Sequence, residues 1–343
     1  MNTSKKKTIY LHIGRHKTGT SSIQNFIASY PESLSSQSLY YPETGRHGIA
    51  HHEIAAILSF KKTKNDTLKR AAIESNVIST LKAEIDSQPT DVLISSEGLQ
   101  NSDPALVAEV FSEYQIKILV YIRNQIDYLA SAYAQKVWAT NYAESMETYY
   151  KDIFNPDYEF FLSRWENISQ GGISIAKFTR ENLYQSDIVA DFFIRMLGID
   201  DTELTKKILA REIIDSNPSL TSELLAYKCA YNSYNYDYGD AVVRQLRNAL
   251  AELSRSKSSP PVRATKTLAR NCMERCKESN QVISNKYFDG RELFNMERST
   301  SQPIKLDYDL SFKISRELVS CNSNLEPVVN KFMKDAYPLG NVA

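Results

Sequence analysis

The sequence is short of several things at once. No apolar run approaches the roughly 20 residues that a membrane-spanning helix needs. Net charge is nil, with 41 Lys and Arg against 41 Asp and Glu. The first absence argues against a transmembrane segment. The second argues against a nucleic-acid partner, because a general binder tracks phosphates with an excess of basic residues. Lys5, Lys6 and Lys7 form a local basic run that reads as a solvated tail. Cysteine is scarce: Cys229, Cys272, Cys276 and Cys321. Cys272 and Cys276 lie one helical turn apart, but no second pair with zinc spacing accompanies them, so reduced structural thiols and no metal are expected. There is no internal repeat or low-complexity tract. Only a strand-length apolar run separates the basic N-terminus from Gly14, so a signal peptide is not expected and a cytoplasmic protein follows. The 343 residues suffice to bury a large core.

What is present centres on residues 8–30. Thr8 to Ile13 reads as a buried strand, Gly14 to Gly19 as a polar turn carrying Arg15, His16 and Lys17. A helix starts at Thr20, with Ile23, Phe26, Ile27 and Tyr30 on one face, and Pro31 stops it. Ser21 and Gln24 fit a capping box that would fix its start. Strand, glycine-bounded turn and helix is an architecture that holds phosphates. Turn N–H groups point inward, and the first helical turn adds unpaired donors and partial positive charge. A nucleoside-triphosphatase loop carries its lysine after the second glycine. Here Thr20 stands in that place, and the lysine is Lys17, inside the loop. A purely structural turn is the alternative reading.

Further along, residues 31–53 form a polar, turn-rich stretch of the kind that often lines a site, ending in His51-His52-Glu53. The two histidines are read either as a surface or capping pair or as substrate contacts. Residues 61–90 read as a charged helix with Leu68, Ala72, Ile73, Val77, Leu81 and Ile85 as its apolar positions. Strands follow at 91–96, 117–122 and 173–178, separated by helices from Pro104 to Glu113 and after Arg123. The helix after Arg123 places Ile126, Leu129, Ala130, Tyr133 and Val137 on one face, with Ser131 off it. A helix from Asp187 to Leu197 closes at Gly198. Short apolar strands alternating with helices predict a parallel sheet covered on both faces, with ligands bound beyond the strands' carboxyl ends. Lys17, Glu97 and Arg123 all lie just past such ends. From about residue 200 the pattern is mainly helical, and the tyrosines between Tyr227 and Tyr238 read as packing.

The segment KTGTSS, from Lys17 to Ser22, resembles the 5′-phosphosulfate loop of sulfotransferases that use 3′-phosphoadenosine 5′-phosphosulfate (PAPS). YIRNQIDYLASAYAQ, residues 121–135, resembles the family's 3′-phosphate motif, with Arg123 and, eight positions later, Ser131. SIAKFTRENL followed by DIVADFFIRMLGI resembles its strand, Glu-containing turn and helix ending in Leu-Gly. The likeness spans roughly residues 8–200 and is loose beyond. The Arg-Lys-Gly loop of cytosolic small-molecule sulfotransferases is not found, which makes the chain look more like bacterial and carbohydrate-type members. The resemblance implies an α/β three-layer sandwich with a central parallel sheet, of the P-loop-like sulfotransferase kind. Residues 8–200 would be the PAPS-binding core, with a mainly helical region 201–343 packed on the same domain.

By the same resemblance PAPS is the co-substrate, PAP (3′,5′-diphosphoadenosine) the product, and a hydroxyl of a carbohydrate or glycoconjugate the acceptor. Arg15, His16, Lys17, Thr18, Gly19, Thr20, Ser21 and Ser22 would hold the 5′ end, and Arg123 and Ser131 the 3′-phosphate. Lys17 would stabilise charge on the leaving oxygen. Glu97 is the first choice for the base that takes the acceptor's proton, with His52 and then His51 in reserve. Two alternatives stay open. One is a P-loop kinase, against which the displaced lysine and the lack of a convincing magnesium carboxylate count. The other is a non-catalytic nucleotide-binding protein of the same fold. Oligomeric state is left open.

Overall fold

A computed structural model describes residues 6–15, 17–59, 71, 73–211, 220–257, 259–294 and 300–338. Five strands form one parallel sheet: β1 (Thr8–His12), β2 (Leu39–Tyr40), β3 (Asp91–Ser95), β4 (Gln115–Ile122) and β5 (Ile173–Lys177), in the order β2-β3-β1-β4-β5. β1 is central, with Leu11 opposite Ile94 on one side and Ile118 on the other. The strands read as continuous apolar runs because both faces of the sheet are covered, as parallel sheets require. Ile9, Leu11, Val92, Ile94, Ile118 and Val120 pack into one core cluster. Leu93, Leu119 and Tyr121, one position out of phase, pack into another with Ile23, Phe26 and Phe193. Strand alternation thus sends side chains to two opposite layers. The fold is α/β with a helix-flanked parallel sheet, as expected.

Several local expectations are corrected. The helix Thr20–Ser29 has Gly19 as its N-cap, in the left-handed region, with no side-chain cap, so the capping box does not form. Gln24 is instead buried, donating from Nε2 to Ser95 Oγ at 3.0 Å. Between 61 and 90 the described helix is Asn76–Ser87, capped by Ser75 and burying Ile78, Leu81 and Ile85. Leu68 and Ala72 lie outside the described residues. The turn-rich stretch contains a one-turn helix, Glu32–Ser35, and β2, whose two residues pair with Asp91 and Val92. The helix after Asp187 is α-helical over Ile188–Asp191 and then widens to a π-turn over Phe192–Met196, with Gly198 at φ 74° just beyond.

By contacts the chain falls into two units. One comprises residues up to 124, 157–213 and 278–294, and holds the sheet. The other comprises residues 125–156, 214–277 and 295 onward. This second unit is helical, with Gln125–Ala139, Ser222–Ser233, Gly239–Ser256, Tyr308–Cys321 and Glu326–Ala336 among its helices. They enclose one core that includes Leu129, Val137, Leu250, Cys272, Ile314 and Phe332. The tyrosines read as packing do pack: Tyr227 and Tyr231 meet Phe332 at centroid distances of 5.0 and 5.8 Å. Lys228 is buried beside Asn232, to which its ammonium donates. Burial, and secondarily the charge of Arg247, pushes Lys228 down to about 8. All four cysteines are free thiols. Among the described residues no helix is long and apolar enough to cross a membrane.

Candidate functional site

At the carboxyl end of β1 the chain turns through Gly14 to Gly19 into the helix Thr20–Ser29. Two glycines make this turn what it is. Gly19 sits at φ 79°, where a Cβ would stand 2.7 Å from Ile188 Cγ1 and 3.1 Å from Phe178 Cε2. A Cβ on Gly14 would stand 2.7 Å from Thr20 Oγ1 and 3.5 Å from Glu97 Cα. The loop therefore lies directly against the turn that follows β3. Ser22 and Ile23 both donate to the Gly19 carbonyl, so the Thr20 and Ser21 amides ahead of them have no intrahelical acceptor. Thr20 Oγ1 is itself buried and has no hydrogen-bond partner. A buried hydroxyl and helix-start donors at one place fit an anion with several acceptor oxygens.

Lys17 occupies the left-handed region at φ 63° and is half-buried. Thr18 is fully buried, its Oγ1 donating to the Arg15 carbonyl at 2.7 Å. Ser21 and Ser22 are exposed on the first helical turn. Arg15 is buried, with its guanidinium 4.3 Å from the Phe161 ring centroid and 5.3 Å from that of Tyr158. His16 lies outside the described residues. Arg123, one residue past β4, donates from Nη1 to the Lys17 carbonyl at 3.1 Å and lies over the Phe178 ring. The loop residue and the strand-end arginine, 106 positions apart in sequence, are thus joined directly. Ser131 is half-buried on the helix Gln125–Ala139, which belongs to the helical unit.

Glu97 opens a short 3₁₀ turn, Glu97–Asn101, whose N-cap Ser96 accepts from the Gly98 amide at 3.1 Å. Ser96 Oγ also meets His52 Nδ1 at 3.0 Å. The short helix His52–Ile57 packs tightly on this turn: a Cβ on Gly98 would lie 3.0 Å from Ala55 Cβ. His52 is therefore exposed and adjacent to the residue preceding Glu97. Its neighbour is a different object. His51 is buried, with Nδ1 accepting from the Ser95 amide at 3.2 Å and Nε2 donating to the Pro42 carbonyl at 3.0 Å. Burial pushes it down to about 4. With both nitrogens engaged by backbone, its ring stitches the 42–51 segment to the end of β3, and no nitrogen is left to take an acceptor's proton.

Behind the loop His12 is also buried, its Nδ1 2.9 Å from Ser95 Oγ, and burial pushes it down to about 3. The Tyr158 ring faces Arg15 and its hydroxyl meets the Arg123 backbone, while Phe178 faces the Arg123 guanidinium. Phe178 falls in the segment SIAKFTRENL, whereas no residue type or spacing marks Tyr158 for this place.

No family model matches the chain, and no curated protein matches it. Among solved structures the chain is similar to a sulfotransferase from Alicyclobacillus acidocaldarius, at 11% identity over 94% of this chain and 95% of that one, with a TM-score of 0.33. It is also similar to a structure of the PezAT chromosomal toxin–antitoxin system of Streptococcus pneumoniae, at 13% identity over 62% and 90%, with a TM-score of 0.25. At these scores neither likeness bears on function.

Proposed function

We propose that the protein is a PAPS-dependent sulfotransferase acting on a hydroxyl of a carbohydrate or glycoconjugate. The observation that carries the reading is the junction of two motif positions. The Gly14–Gly19 loop and Arg123 meet through the Lys17 carbonyl, at the carboxyl end of the central strand. That is where a parallel α/β sheet binds ligands. The buried Thr20 hydroxyl without a partner and the cradle bounded by Gly14 fit a phosphosulfate group.

PAPS supplies the sulfuryl group, which passes in line to the acceptor oxygen while the bond to the bridging oxygen breaks and PAP departs with the electron pair. The chain's part is charge compensation and proton transfer. Lys17 and the amides that begin the helix hold the 5′ end and stabilise negative charge there. Arg123 binds the 3′-phosphate, the group that separates PAPS from ATP, and Ser131 adds one hydrogen bond. Glu97 takes the acceptor's proton. His52, one hydrogen bond from Ser96, is the alternative base.

Calorimetry with PAP, ADP and magnesium-ATP on wild type and Arg123→Ala tests the reading. PAP preferred, with that preference lost in the variant, supports it. Preference for magnesium-ATP overturns it in favour of a kinase. For the base, Glu97→Gln should abolish turnover and spare PAP binding, and retained turnover moves the role to His52.

A further inference from the structure

Tyr158, in the helix Tyr158–Glu166, touches both motif arginines of the loop site. Its hydroxyl accepts from the Arg123 amide at 3.2 Å and donates to the Arg123 carbonyl at 2.5 Å, so one phenol takes up both backbone groups of that residue. Its ring lies under the Arg15 guanidinium. The side chain is fully buried, and both hydrogen bonds are therefore shielded from competing water. Arg123 in turn holds the Lys17 carbonyl. A trans peptide is planar, with its C=O and N–H pointing in opposite directions. Pinning the Lys17 carbonyl toward Arg123 consequently aims the Thr18 amide the other way, and keeps the carbonyl's negative end from facing an anion.

We infer that Tyr158 is a positioning residue: it fixes the Arg123 backbone, Arg123 holds the Lys17 peptide, and the Thr18 amide is thereby presented to the 5′ anion. This rests on the loop being the anion site, as argued above. It assigns Arg123 a second duty besides the 3′-phosphate, and the two duties separate experimentally. Tyr158→Phe keeps the ring and removes only the hydroxyl. Its affinity for 5′-AMP, which lacks the 3′-phosphate, should fall about tenfold, and that for PAP at least as much. In the ligand-free variant the amide order parameters of Lys17, Thr18 and Gly19, measured by ¹⁵N relaxation, should drop from rigid values near ~0.85 toward about 0.6, while those of β1 hold.

A loss confined to PAP would overturn the inference, because Tyr158 would then act only through the 3′-phosphate. Unchanged order parameters with unchanged affinities would overturn it too. If wild type binds neither nucleotide, the sulfotransferase reading fails, and the relaxation measurement still decides the clamp. Should Tyr158→Phe not fold, Arg123→Ala removes the bond to Lys17 and carries the same relaxation readout.

Discussion

Three helix starts in the helical unit and the one after β1 in the α/β unit are built differently. In the helical unit, the helices starting at Met146, Ser222 and Tyr308 are each capped by a side chain, from Ser145, Thr221 and Asp307. In the α/β unit, the helix after β1 starts from Gly19, with no side chain to cap it. A capping oxygen satisfies donors that would otherwise need water or a ligand. Those three helices satisfy start donors with a side chain of their own, while the helix after β1 leaves its start donors open at the end of the central strand. Histidines fall on one side of the division. All five histidines lie between residues 12 and 52, in the α/β unit, and the helical unit has none.

Four experiments sharpen or break this contrast. The largest effect is expected from Phe332→Ala, which empties the centre of the helical core and should cost about 3–5 kcal/mol of unfolding free energy in urea titrations. A cost below about 1 kcal/mol would mean that this core is not what holds the helical unit. Next, Lys17→Ala should lower turnover about 10²–10³-fold, equivalent to ~3–4 kcal/mol, while stability changes little. Turnover within threefold of wild type would remove Lys17 from the chemistry.

Stability should also depend on pH in two separate windows. His51 is held near 4 and His12 near 3 by burial, below the ordinary 6.5. Below pH 6.5 the unfolded chain therefore binds more protons than the folded one. Stability present above pH 6.5 is lost progressively as pH falls toward about 4 for His51, by on the order of 3 kcal/mol. In the helical unit Lys228, held near 8 rather than 10.5, gives stability that rises with pH from about 8 to 10. Above that range the buried phenols of Tyr227 and Tyr231, pushed up by burial, reverse the trend. Lys228→Met should flatten the upper window and leave the lower one. Urea titrations across pH 4–10 measure both, and a flat profile between 4 and 6.5 would contradict the buried neutral histidines. The smallest effect is expected at Ser131→Ala: PAP affinity down by up to about fivefold, the worth of one hydrogen bond, and 5′-AMP affinity unchanged. Equal losses for both nucleotides would detach Ser131 from the 3′-phosphate.

Much of the α/β unit was legible because its signals are local. Strands buried on both faces are written as short apolar runs, and a glycine-bounded turn before a helix is written in six residues. What escaped was set by partners distant in sequence. Gln24 looked like half of a capping box, but Ser95, 71 positions away, draws it into the core. β2 is two residues long and exists only because β3 offers an edge. Nothing local marks Tyr158, whose place shows only when Arg123, 35 positions away, is seen on its hydroxyl. The adjacent histidines separate because the helix begins between them, at His52, leaving His51 turned inward. Residues 125–156 group with helices a hundred positions later, which no local pattern announces.

Lys17 at φ 63° carries one more implication, for the choice of amino acid. A backbone in the left-handed region costs an L-residue with a Cβ about 1–2 kcal/mol, and glycine almost nothing. Selection for folding alone would place glycine there. On the proposed sulfotransferase reading the lysine marks a local frustration, in which the fold bears a small penalty for a charge that the chemistry would use. Lys17→Gly should then raise the melting temperature by a few degrees while lowering turnover as Lys17→Ala does, the trade between stability and activity read at a single position.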